Sequence, residues 1–132
     1  MSLSFRTETD TDPNEVATLY RRAGLIRPVD DPGRMKRMMA SANLVICARD
    51  GERLVGIARA LSDFSYCCYL SDLAVDPDYQ RQGIGQELIR LVGMAIGDES
   101  MLLLLSAETA HAYYPHIGFE KKHNAWALSR KR

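Results

Sequence analysis

The chain is 132 residues long, 46% hydrophobic and 26% charged, with 17 lysines and arginines against 17 aspartates and glutamates. That length suits one domain over 1–132 with an ordinary core, and a net charge of zero gives nucleic acid or a membrane surface no field to recognise. The three cysteines, Cys47, Cys67 and Cys68, are an odd count with two chain neighbours; they make a poor disulfide framework and fit a reducing, cytoplasmic setting.

No signal-peptide core opens the chain. No apolar run approaches the ~20 residues that span a bilayer. Cysteine, histidine and aspartate show no metal-ligand spacing, so no metal is expected.

In chain order, 2–7 alternates as a first strand. Asp12-Pro13 opens a helix, the aspartate as cap and the proline in the first turn. Val16, Leu19 and Tyr20 share its inner face, and Gly24 stops it. Asp31-Pro32 repeats the start signal, and Met35, Met38 and Met39 carry the next stripe to about Ala42. The period then changes from helical to strand-like. Residues 44–49 and 53–61 read as two strands joined at Asp50-Gly51, a hairpin turn. Residues 66–75 read as a longer central strand, apolar on both faces.

Residues 83–96 read as the clearest helix, striped by Ile84, Leu88, Leu91, Val92 and Ala95 and stopped by Gly97. The run 101–105 is purely apolar and predicts a strand inside the sheet. Residues 106–114 read as a helix ended by Pro115, because the residue before proline avoids the helical region. Residues 117–121 and 125–128 read as two closing strands. The expected class is α+β, in the order βααβββαβαββ.

The chemistry is concentrated in the middle. Leu73-Ala74-Val75 ends a strand; after a short turn, Gln80-Arg81-Gln82-Gly83-Ile84-Gly85 leads into a helix. A helix start leaves backbone N–H groups without partners and carries about half a positive charge. Glycines at 83 and 85 let a phosphate approach that backbone, and Arg81 adds charge beside it. The Walker pattern Gly-x-x-x-x-Gly-Lys-Ser/Thr and the dinucleotide pattern Gly-x-Gly-x-x-Gly are both absent. By itself the turn indicates an anion seat at a helix start.

In its context the turn resembles the central motif of the GNAT N-acetyltransferase superfamily, Gln/Arg-x-x-Gly-x-Gly/Ala after an apolar strand. The likeness runs from Tyr69 through Gly85 to Leu88-Ile89, and resumes at Ala110-x-x-Tyr113-Tyr114-x-x-x-Gly118-Phe119. It is closest to arylalkylamine/serotonin-type and uncharacterised bacterial members.

The resemblance implies a mixed, mainly antiparallel sheet flanked by helices, acetyl-CoA as cosubstrate, and a homodimer. Arg81, Gln82, Gly83, Ile84, Gly85 and Gln86 would bind the coenzyme A pyrophosphate. Leu73 and Val75 would bond the pantetheine arm as an added strand, and Tyr114 would sit near the thioester sulfur. Two positions depart from the pattern: Ala107 stands where many members have asparagine, and Ser71-Asp72 where some place a glutamate.

The implied reaction moves acetyl directly from sulfur to a primary amine of a small molecule within a ternary complex. An alkylamine, with a pKa near ~10.4, must first lose its proton. Asp72 is the best placed carboxylate on the central strand to accept it, ahead of Glu108, His111 and His116. Tyr114, with an ordinary pKa near ~10, would hydrogen-bond the leaving thiolate. Two alternatives stand beside this reading: a catalytically silent acyl-CoA-binding module, and a protein-lysine acetyltransferase. Trp126 and the two early helices are expected near the acceptor.

Overall fold

A computed structural model describes residues 2–107 and 113–132. Strand β1 (Leu3–Thr7) is followed by helices α1 (Pro13–Ala23) and α2 (Pro32–Ser41), then by strands β2 (Leu44–Asp50), β3 (Arg53–Ser62) and β4 (Cys67–Val75). A short 3-10 turn, Pro77–Tyr79, leads to α3 (Ile84–Ile96), β5 (Met101–Leu104) and α4 (Tyr113–His116).

The local start and stop signals are where the sequence puts them. Asp12 accepts a hydrogen bond from the Asn14 amide at 2.9 Å, and Asp31 accepts one from the Arg34 amide at 3.1 Å. Gly24 closes α1 at φ 74°, a left-handed conformation that suits glycine.

The five strands form one mixed sheet in the order β1-β2-β3-β4-β5, antiparallel except for the parallel pair β4–β5. Helices α1 and α2 pack on one face through Val16, Leu19, Tyr20 and Met35 against Val45, Cys47, Ile57 and Ala74. Helix α3 covers the other face through Ile84, Leu88 and Val92 against Ile46, Ala58 and Leu70.

An irregularity in β4 decides what faces each layer. Ala60 pairs with Leu70 but Arg59 pairs with Asp72, so Ser71 is an extra residue in the ladder. Simple alternation would put Leu70, Asp72 and Ala74 on one face. The bulge turns the strand over, so Leu70 faces α3 while Ala74 faces α1.

Several expectations are corrected. Residues 117–121 and 125–128 form no strand; beyond the turn at Ile117 and Gly118 the chain has no regular structure. A strand persists only with a ladder partner and a buried face, and here Trp126 and Leu128 are fully exposed. In consequence β5 is an edge strand, not an interior one, and its Met101 is exposed.

The apolar arc of α3 is also displaced around the helix: Ile89 and Ile96 are buried, whereas Ala95 is exposed. Pro115 does not end a helix but lies inside the single turn of α4, where a missing N–H costs nothing. Ser106 and Ala107 are not helical, and the remainder of the expected helix, 108–112, lies outside the described residues.

Helix α3 can sit close to β3 because Gly56 has no side chain. A Cβ there would lie 3.0 Å from Ile84 Cγ2 and 3.3 Å from both Ala48 Cβ and Leu88 Cδ1. Gly56→Val is expected to lower stability by about 1–3 kcal/mol through overpacking. Urea unfolding measures this, and an unchanged midpoint would show that α3 is not seated by this contact.

Candidate active site

Strand β4 pairs with β5 only from Cys67 to Leu70. From Ser71 onward its outer edge has no strand beside it, and a cleft of about 700 Å³ opens there. The Asp76 amide donates to the Val55 carbonyl at 2.8 Å. Antiparallel alternation then directs the backbone groups of Ala74 and Asp72 toward β3, and those of Leu73 and Val75 toward the cleft. The Val75 carbonyl accepts from Gln80 Nε2 at 3.2 Å. Gln80 therefore ties the strand to the turn that follows it, a role the sequence did not suggest.

That turn is held from behind by an ion cluster. Arg22 Nε and Nη2 donate to the two oxygens of Asp76 at 2.7 and 3.0 Å, and Arg53 Nη2 adds a bond at 3.1 Å. Hydrogen bonding from Arg22, the largest cause, lowers the Asp76 carboxyl to a pKa of about 2. Asp76 also caps the 3-10 turn through the Asp78 amide at 2.9 Å.

The chain then passes through Arg81 at φ 65° and Gly83 at φ 79°, both left-handed, before α3 begins. For arginine this conformation is strained, and such strain persists where the surroundings impose it. Gly83 gives α3 no side-chain cap, whereas aspartates cap α1, α2 and the 3-10 turn. The first amides of α3 thus remain available to an anion. A Cβ on Gly83 would meet nothing within 4 Å, so the approach is open.

Leu73, Val75, Arg81, Gly83, Ile84, Gly85, Gln86 and Tyr114 all line this cleft. Ile84 contributes only backbone, since its side chain is buried in the core. Gln82 is exposed and does not line it. Ala107, the position that departs from the family pattern, does.

Tyr114 is half-buried, packed edge-on to Phe119 at 5.4 Å between ring centroids. Burial first, and the neighbouring Tyr113 second, raise its hydroxyl pKa above the ordinary tyrosine value. It therefore stays protonated at neutral pH, as a hydrogen-bond donor must. Tyr113 places its hydroxyl 3.8 Å from where a Cβ on Gly85 would lie. It thus overhangs the glycine turn at the start of α3.

Asp72 is not a free base. Its side chain is 0% exposed and accepts four hydrogen bonds. Tyr20 Oη donates at 2.7 Å, Arg27 Nε and Arg59 Nε each at 2.5 Å, and Ser71 Oγ at 3.1 Å. Burial alone would raise its pKa, but the bonds and charges of Arg59, Tyr20 and Arg27 outweigh it and the net shift is downward. Its lone pairs are occupied and its affinity for a proton is reduced, which corrects the expectation that it accepts one from the amine. Of the weaker candidates, His116 is exposed on α4, and Glu108 and His111 lie outside the described residues. Trp126 is exposed, in the segment without regular structure.

Comparison with known proteins agrees with this geometry. Residues 41–121 match the family model described as Acetyltransferase (GNAT) domain. The chain is similar to GCN5-related N-acetyltransferase 2, chloroplastic, of Arabidopsis thaliana, at 35% identity over 78 residues, 54% of this chain and 30% of that protein. It is also similar to histone acetyltransferase TAP1 of Glycine max, at 37% identity over 71 residues, 52% of this chain and 31% of that protein. It thus spans about a third of the length of these relatives.

Among solved structures, aminoglycoside N-acetyltransferase AAC(6')-Iy in complex with CoA superposes with a TM-score of 0.72 at 16% identity, over 98% of this chain and 95% of that one. At that identity the likeness concerns the fold. The family model covers more than half the chain, including the opening between β4 and β5 and the uncapped start of α3, and the chain belongs to the GNAT acetyltransferase family.

Proposed function

We propose that this protein transfers acetyl from acetyl-CoA to a primary amine of a small molecule, directly and within a ternary complex. The observation that carries this reading is the uncapped start of α3 opening into the same cleft as Tyr114 and the free edge of β4. The amides of Ile84, Gly85 and Gln86, with Arg81 beside them, hold the pyrophosphate. Leu73 and Val75 offer backbone groups to the pantetheine arm. The Leu73 side of the free edge supplies N–H groups where the carbonyl oxygen gains charge. Tyr114 donates its hydroxyl hydrogen bond to the departing sulfur. Acetyl-CoA supplies the thioester; the chain binds it, orients it and stabilises charge.

A protein lysine as acceptor is the second reading, favoured by the likeness to the soybean histone acetyltransferase. A module that binds acyl-CoA without turnover is the third. Acetylation assays against small amines and lysine peptides separate all three. The free outer edge of β5 and the exposed Trp126 and Leu128 support pairing of two copies.

Three variants test the assignment. Gly83→Asp puts a negative charge at the anion seat and is expected to abolish coenzyme A binding in calorimetry; wild-type affinity would sink the pyrophosphate site. Tyr114→Phe keeps the ring against Phe119 and loses only the hydroxyl. It is expected to lower kcat by roughly 10²-fold with little change in acetyl-CoA affinity, and unaltered turnover would remove Tyr114 from the mechanism.

Asp72→Asn leaves two arginines without their counter-ion and is expected to cost about 3–5 kcal/mol of stability in chemical denaturation. Because the folded pKa of Asp72 is depressed, its contribution is complete above the unfolded carboxylate pKa and is lost as pH falls through the folded value. Any limb in the pH–rate profile near neutrality therefore belongs to another group. A neutral limb that vanishes in Asp72→Asn would contradict this.

A further inference from the structure

The described residues that line the cleft include two cations, Arg27 and Arg81, and no aspartate or glutamate. Arg81 stands at the phosphate turn, where its charge has a use. Arg27 stands elsewhere, after the end of α1, against Ser71 and Asp72, where β4 parts from β5. The pyrophosphate reading does not account for a cation there.

Charge around Arg27 is not balanced. Arg27 and Arg59 bring two positive charges to Asp72, which brings one negative charge. Tyr20 is neutral, because burial and the adjacent carboxylate hold its proton. Among the described residues one positive charge is left over, beside a largely desolvated cluster. Arg59 is 8% exposed and does not line the cleft, whereas the Arg27 side chain is 28% exposed and does. The excess is therefore presented through Arg27.

Its guanidinium is also held in place. Nε donates to Asp72, Nη1 to the Ile26 carbonyl at 2.6 Å and Nη2 to the Ser71 carbonyl at 2.7 Å. A guanidinium carries five N–H donors, so among the described residues one on each terminal nitrogen is left uncommitted. A fixed planar pair of donors with net positive charge matches a carboxylate. It repels a second ammonium group.

We propose that Arg27 binds a carboxylate on the acceptor, so that the preferred substrates are small primary amines bearing a carboxylate and diamines are poor ones. This rests on the acetyltransferase reading above and narrows it to a substrate class.

The test uses matched acceptors that differ only at the far end: 5-aminopentanoate, pentylamine and 1,5-diaminopentane, with 4-(2-aminoethyl)benzoate and 2-phenylethylamine as an aromatic pair. Steady-state acetylation at saturating acetyl-CoA gives kcat/KM for each. The carboxylate member is expected to lead its neutral match by about 10- to 100-fold, the range of a charge-assisted hydrogen bond, and the diamine to fall below both. In Arg27→Gln the ratio is expected to fall to near one. Arg27→Lys, which keeps the charge and loses the fork, guards against a folding defect in the first variant and is expected to retain part of the ratio.

Equal or reversed preference in the wild type overturns the proposal while leaving the acetyltransferase reading intact. So does a ratio that survives both substitutions. Binding of acetyl-CoA in calorimetry with no turnover of any member overturns both.

Discussion

A carboxylate sealed from water must be met by donors from every side, and Asp72 is met from four places in the fold. Tyr20 comes from α1, Arg27 from the loop after it, Arg59 from β3 and Ser71 from its own strand. Removing such an anion from water costs several kcal/mol, which only near-complete pairing offsets. The cluster therefore allows little latitude in the distance between α1 and the sheet. It also fixes where Arg27 points. The wall of the cleft opposite α3 is built on this one buried charge.

The two ends of the cleft use different physics for related ends. At α3 the positive potential comes from backbone amides at a helix start that lacks a side-chain cap. An aspartate of the kind that caps α1, α2 and the 3-10 turn would, at Gly83, occupy amides that are left open here. At the α1 side the positive potential is a side chain, oriented by its bonds to Asp72 and Ser71. Tyr114 lies along the same cleft and is kept protonated by burial. A donor-rich surface, without aspartate or glutamate among the described lining residues, suits a reaction whose groups gain negative charge at the carbonyl oxygen and at sulfur.

Much of the fold was legible locally, because its determinants are local. Asp12-Pro13 and Asp31-Pro32 start helices where they should, Asp50-Gly51 turns the hairpin, and Gly24 and Gly97 stop α1 and α3. The misreadings share one cause: each concerned a partner distant in sequence. The run 101–105 reads as interior only if another strand lies beyond it, and among the described residues none does. Residues 117–121 and 125–128 alternate suitably but have no ladder partner among the described residues: Ile117 and Phe119 are only partly buried, and Trp126 and Leu128 are fully exposed. The stripe of α3 read from Ile84, Leu88, Leu91, Val92 and Ala95 holds at Ile84, Leu88 and Val92, but packing on the sheet adds Ile89 and Ile96 and leaves Ala95 exposed.

The sequence by itself determined the anion seat. Glycines at 83 and 85, an arginine at 81 and a helix start are all encoded within six residues, and the physics of unpaired amides needs nothing further. Only the tertiary structure decided the role of Asp72. Alternation along β4 places it with Leu70, but the extra residue at Ser71 turns the strand over and carries it to the α1 face. There Tyr20, 52 positions away, and Arg27, 45 positions away, occupy its lone pairs. A bulge is set by register between strands and a buried ion cluster by side chains far apart in the chain; neither leaves a mark in the spacing of neighbouring residues.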